Sequence, residues 1–423
     1  MQMNKYYALT LCSGLLGTVL APVAQADFIQ DSKADLHLRN FYMNRDFRDN
    51  DKPGSILRSD GKAQHKAEDW GQAFMLRYRS GYTEGTVGFG LDALGLVGIK
   101  LDSGAGTGGT GALVRSRHSG SSHDNSSFTP TLKAKLSKTV VSYGGHEPIL
   151  PIVIRNDTRL LPQTFIGTQI VSNEIDNLTL TAGQYQRSRW RNSSDREKMP
   201  MFADGSKGGV ASNRFNFAGA QYKALAGLQL QYFYAQLKDN YKQQVASFDY
   251  TTKLSEDWGF KLDGRYFKSD KQGNTNIDNK LYSSMLGLSY KGHWLSAGMQ
   301  KQKGDTGMPF IGGGTDPWTM NTLTYHHFLR AKENSWQVRY DYDFANLGIN
   351  GLTLMARYVK GHDFKIAGER AREWERDIDI VYNFQSDKLK NLSLMLRNVA
   401  YRGTHSAGVD ENRVIVNYKI PLL

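Results

Sequence analysis

The chain has a single cysteine in 423 residues, Cys12. With no second thiol there is no disulfide framework, and no thiol chemistry downstream of position 12. Metal-ligand spacing is missing too: no His-Glu-x-x-His occurs, and the neighbours His326 and His327 leave a strand on opposite faces. No Gly-x-Ser-x-Gly marks a nucleophile. "GTGGTG" (Gly106–Gly111) fits a dinucleotide-binding pattern letter by letter, but a polar loop follows it where a helix is required. These absences leave no enzyme, metal or cofactor in the reading. Long apolar runs are also missing. Nothing beyond the N-terminus approaches the ~20 apolar residues of a spanning helix. A membrane can be crossed by this chain only with strands.

The N-terminus carries an export address. Lys5 supplies charge, "ALTLCSGLLGTVLAPVA" an apolar centre, and Ala24-Gln25-Ala26 a small-x-small cleavage site. Residues 1–26 therefore read as a secretory signal peptide, with Cys12 lost on cleavage and a mature chain starting at Asp27. The formal charge of +12 suits nucleic acid, an anionic surface or small anions. Export makes nucleic acid the poorest fit of the three.

What remains is strand-like almost throughout. In "SWQVRYDYDF" (Ser335–Phe344), Trp336, Val338, Tyr340, Tyr342 and Phe344 share one face, and Gln337, Arg339, Asp341 and Asp343 the other. That is a two-faced strand of the ~10 residues that span an outer membrane when tilted. Similar alternation runs through "LQLQYFYAQL" (Leu228–Leu237), "LTLMARYV" (Leu352–Val359) and "DIDIVYNF" (Asp377–Phe384). The connections alternate in length. Short ones such as Lys291-Gly292 contrast with long ones at 191–209, 268–280, 304–318, 360–373 and 403–411. Tyr and Trp gather where strands meet loops, among them Trp70, Trp258, Trp294, Trp336, Trp374 and Tyr401. This is the habit of a transmembrane antiparallel up-and-down β-barrel, all-β and of one domain over residues 27–423. The residues allow eighteen to twenty strands, enough to enclose a wet lumen.

Strand parity then predicts what the lumen carries. In "LSLMLRN", Leu392, Leu394 and Leu396 face one way and Ser393, Met395 and Arg397 the other. Arginine on the lipid face at mid-bilayer costs roughly 2–4 kcal/mol, so it belongs inside. The same reasoning sends Arg39, Arg77, Arg79, Lys133, Lys135, Arg265, Arg339, Arg357, Arg413 and Lys419 inward, against inward acids such as Asp341, Asp377 and Asp379. First and last strands must meet when a barrel closes, so Arg39, Arg77, Arg397, Arg413 and Lys419 form a basic strip. An ion pair at 4 Å is worth ~1 kcal/mol in water and ~4 kcal/mol at an effective dielectric near 20. A carboxylate is thereby held strongly enough to be admitted and weakly enough to leave.

"DLHLRNFYMNRDFRD" (Asp35–Asp49), "DWGQAFMLRYRSGYTEGTVGFGLDALGLVGIKLDSG" (Asp69–Gly104), "RLLPQTFIG" (Arg159–Gly167) and "RVIVNY" (Arg413–Tyr418) resemble the OprD/Occ family of outer-membrane, carboxylate-selective porins. The resemblance covers nearly the whole mature chain. It implies eighteen strands, inward-folded constriction loops and an arginine/lysine ladder for amino acids, aromatic acids or small organic acids. By matching motif, Arg39, Arg45, Arg397 and Arg413 resemble ladder positions. "GGHEPILPIVIRNDTRLLPQTFIG" resembles the constriction loop, with Arg155 and Arg159 at the eyelet, and "GDTGMPFIGGGTDPW" the second constricting loop, with Asp305 and Asp316 as acidic partners. The expected function is passive, substrate-selective passage of small carboxylates across a Gram-negative outer membrane; the alternative is a general, weakly anion-biased diffusion porin. The expected partners are outer-membrane lipid and lipopolysaccharide and the solutes themselves, in a monomer or weak homo-oligomer, with no nucleic acid.

Overall fold

The computed structural model describes residues 28–48, 61–116 and 120–423; the signal-peptide expectation lies outside them. Eighteen antiparallel strands form the wall among the described residues. They are β1 (Lys33–Arg48), β2 (Lys66–Arg79), β3 (Val87–Asp102), β4 (Asp124–Leu136), β5 (Thr139–His146) and β6 (Thr164–Ser172). Next come β7 (Leu178–Arg189), β8 (Phe215–Leu225), β9 (Leu228–Leu237), β10 (Tyr241–Lys253), β11 (Trp258–Lys271) and β12 (Asp278–Tyr290). The last are β13 (His293–Lys303), β14 (Asn334–Asp343), β15 (Leu352–Ile366), β16 (Glu369–Asn383), β17 (Leu392–Gly403) and β18 (Ser406–Pro421). Each pairs with the next, and β18 returns to β1 in a register running from Asp35 opposite Pro421 to Arg48 opposite Gly408. The seam closes the ring and leaves no edge strand.

Alternation explains the wall. Along β13, Ser296, Gly298, Gln300 and Gln302 are buried inside, while Leu295, Ala297 and Met299 are exposed outside. In water such a strand would be inside out; in a bilayer its apolar face meets lipid. Short turns at one end, as at Lys291-Gly292 with φ of 43° and 85°, define the periplasmic side.

Two readings of the sequence change here. The stretches 360–373 and 403–411 are not long loops, and 268–280 holds only a short connection, 272–277, between β11 and β12. The strands continue past the lipid band and turn at Ala367-Gly368 and Thr404-His405. Above the bilayer both faces of a hairpin are wet, so alternation fades while pairing persists. Second, apolar residues do not always face lipid. Phe41, Met43, Ala73, Met75, Leu94 and Leu96 point inward on β1–β3 as one buried patch. Phe215, Phe217, Phe233, Val245, Phe267 and Leu281 form another on β8–β12. Loops cover both patches, which makes that part of the interior a dry core. For the same reason Tyr401, buried against Glu373 through its hydroxyl, is not an interfacial aromatic, and Trp294 shares the inward face of β13 with Ser296.

Candidate functional site

The third extracellular loop, L3 (residues 147–163), enters the barrel. After a small hairpin pairing Ile149–Leu150 with Val153–Ile154, Leu160 and Leu161 bury completely against the β1–β3 patch. Glycine makes room for them. A Cβ at Gly71 would stand 2.7 Å from Leu160 Cδ2, and one at Gly98 3.2 Å from both leucines. Two inward arginines grip the backbone between hairpin and leucines. Arg39 Nη1 donates to Asp157 Oδ1 at 2.8 Å and to the Arg159 carbonyl at 2.7 Å. Arg413 Nη1 donates to the Thr158 carbonyl at 3.0 Å. Burial alone would raise the Asp157 carboxyl, but Arg39 beside it holds it below the ordinary value.

The seventh loop, L7 (residues 304–333), closes from the other side. Phe310–Ile311 pairs with Met201–Phe202 of L4 (residues 190–214), and the Asp316 amide bonds the Ile154 carbonyl of L3 at 3.3 Å. Its far end rests on β16, where Glu373, Glu375, Asp377 and Asp379 all face inward. The Tyr325 and His326 amides each donate to Glu375 at 2.8 Å. Arg330 meets Glu373 at 3.2 Å and Thr324 donates to Asp377 at 2.8 Å.

Between the two loops lies a cavity of about 560 Å³ whose lining includes Arg159, Arg191, Asp316, Tyr325, Arg357 and Arg397. A second cavity of about 560 Å³ opens toward the periplasm past Arg339, Asp341, Asp343 and Asp379, and it shares Arg357 and Arg397 with the first. These two residues border both cavities.

Most basic residues expected to face the lumen are already paired. Arg357 binds Asp377 at 2.7 Å, and Arg397 holds Asp379 through two bonds of 2.6 Å. Arg45 meets Glu411 at 2.6 Å and lies over the Tyr325 ring; Arg413 shares Glu411 at 2.5 Å. Arg77 makes two bonds to Glu147, which Arg155 reaches at 3.3 Å. Of the residues expected in the strip, Arg397 stands directly opposite Arg413, and Arg39 opposite Asn417. At its periplasmic end Lys419 meets Asp35 at 3.3 Å, and Arg79 is exposed opposite Lys33.

Arg159 and Arg191 differ. Arg159 is 4% exposed and bonds only backbone and hydroxyl oxygens, at Thr110 and Thr158. Arg191 reaches the Thr158 hydroxyl at 3.4 Å. Neither has a carboxylate within ion-pair distance among the described residues. Burial, then the neighbouring Arg413 and Arg191, push the Arg159 pKa well below its ordinary value; burial takes Arg191 to about 10. Arginine keeps its proton at neutral pH, so both guanidiniums hold their charge in a buried setting. Each presents planar donors of the kind suited to a two-point grip on an anion. The acid facing them is Asp316, which accepts from Asn156 Nδ2 at 2.7 Å and is raised by burial to about 6 despite Arg191. Asp305 is placed elsewhere: it is exposed at the extracellular rim, bound to Lys332 at 3.0 Å, because the start of L7 lies over the strand ends before the chain turns inward. Sequence reasoning missed Arg191 and Tyr325. Both sit in loops, where parity assigns no face.

The sequence matches a family model described as outer membrane porin, OprD family, over residues 26–422. It is 35% identical to the porin-like protein GalP of Pseudomonas putida, with all of both chains covered. Among solved structures it is similar to OpdQ of Pseudomonas aeruginosa, 42% identical with a TM-score of 0.84 over 94% of this chain and 100% of that one. It is also similar to OpdK of the same organism, solved with vanillate, 34% identical with a TM-score of 0.85 over 93% of this chain and 100% of that one.

Proposed function

Because the chain belongs to the OprD family of outer membrane porins, we propose that it is a substrate-selective channel for small carboxylates, which pass by diffusion along its internal cations. The observation that supports this reading is the Arg159–Arg191 pair beside the cavity between the loops, which bonds only backbone and hydroxyl oxygens and makes no ion pair among the described residues. A solute carboxylate is handed from there to Arg397 and Arg357, which line both cavities. At that junction Asp379 and Asp377 compete with the solute, so the grip weakens toward the periplasm and release is favoured. The ladder also includes Arg39, Arg45, Arg77, Arg79, Arg413 and Lys419, several of which hold L3 or the seam while adding to the field.

Phe202, Phe310, Trp318 and Tyr325 around the upper cavity suit a carboxylate borne on a ring or an apolar chain. The vanillate bound by OpdK is such a molecule. Liposome uptake across amino acids, aromatic acids and dicarboxylates tests the reading, alongside single-channel recording. Small conductance with transient block by particular carboxylates is expected. Indifferent passage of neutral sugars and acids of one size points instead to a general diffusion pore.

A further inference from the structure

The outer surface of β11–β13 carries a feature that conduction does not use. Lys268, Lys280 and Lys303 are direct cross-strand partners in one row, facing outward at the extracellular ends of their strands. One step toward the membrane, Lys301 stands opposite Tyr282. Like charges directly opposed destabilise a sheet. Lys268 is partly compensated by Asp270 at 3.4 Å, whereas Lys280, Lys301 and Lys303 have no ion pair among the described residues. Lys303 instead lies 5.7 Å from the Tyr282 ring centre.

Directly below the row the wall is concave. A groove of about 850 Å³ has Ala246, Gly264 and Ser284 on its floor and Phe248, Tyr282, Met299 and Trp336 among its walls. These side chains point to lipid, Met299 being 70% exposed. Small residues on neighbouring strands make the hollow, and Phe248 leans over Gly264, where a Cβ would stand 2.3 Å from its ring.

We propose that this face binds a phosphorylated, multiply acylated glycolipid of the outer leaflet, phosphates on the lysine row and an acyl chain in the groove. Charge complementarity selects this occupant: the lysine row lies toward the extracellular strand ends and the largely apolar hollow on its membrane side. A second copy of the chain would have to bring acids to the row and apolar bulk to the groove in one patch.

The test uses the detergent-purified full barrel and native mass spectrometry with a synthetic bisphosphorylated, hexa-acylated diglucosamine and its dephosphorylated form. The bisphosphorylated lipid is expected to be retained preferentially, with retention falling about fivefold for each lysine removed in Lys280→Gln and Lys303→Gln. Ser284→Trp, which fills the hollow, should weaken both forms. Heat-modifiable gel mobility and single-channel conductance report that the variants are folded open pores. Equal retention of the two lipids, or retention unchanged in the double lysine variant, overturns the proposal. So does displacement by millimolar inorganic phosphate, which would mark a site for a free anion. Self-association lost in Ser284→Trp, with no lipid retained, overturns it in favour of a protein interface.

Discussion

At the scale of single residues, the cavity between the loops turns on two arginines with no ion pair among the described residues and one acid facing them. A hydrogen bond to a charged group contributes about 1.5–3 kcal/mol, roughly ten- to a hundredfold in an equilibrium. Arg159→Ala or Arg191→Ala should therefore shorten carboxylate block events about tenfold or more in single-channel records, with the barrel still heat-modifiable. Asp316 adds a pH dependence of definite sign. Its carboxyl, raised to about 6, is charged at pH 7.5 and neutral at pH 5. Acidification thus removes a negative charge from the constriction, and anion selectivity, read from reversal potentials in a chloride gradient, should rise as pH falls through about 6. Asp316→Asn should show the low-pH selectivity at both values. The sequence prepared part of this site: Arg397 could be sent inward because Leu394 and Leu396 on either side of Met395 demanded lipid. Arg191 could not, since a loop residue has no parity, and its proximity to Arg159 exists only once L3 and L4 have folded inward.

At the scale of elements, L3 behaves as an internal strut more than a surface loop. Its hold on the wall is apolar through Leu160 and Leu161, ionic through Arg39 and hydrogen-bonded through Arg413 to the Thr158 carbonyl. Truncating a fully buried leucine costs about 2–5 kcal/mol, more than a loop held at a few points can absorb. Leu160→Ala with Leu161→Ala should release L3 and raise unit conductance while flattening discrimination among carboxylates; unchanged conductance would place the narrowing elsewhere. Strands such as Ser335–Phe344 were readable because one face must be greasy through the bilayer. The hairpins at Ala367-Gly368 and Thr404-His405 were not, because above the bilayer a paired strand and a polar loop have the same composition. The inward phenylalanines of β8–β12 were hidden for a related reason: a residue under a folded loop and a residue against lipid are equally apolar.

At the scale of the whole molecule, strand count, antiparallel order and closure agree with a reading of alternation and loop rhythm, because a bilayer leaves a chain without spanning helices only a closed ring. The seam between β18 and β1 also carries ion pairs, Arg45 meeting Glu411 across it and Arg413 sharing the same carboxylate. Removing residues 406–423 should give a product with no heat-modifiable band and no channel activity, since two unmatched edges cannot rest in hydrocarbon. β18 is thus the strand that shuts the circle against β1. Insertion becomes all-or-nothing: a chain cut short by a nonsense codon is material for periplasmic proteases, and no leaky half-cylinder reaches the cell surface.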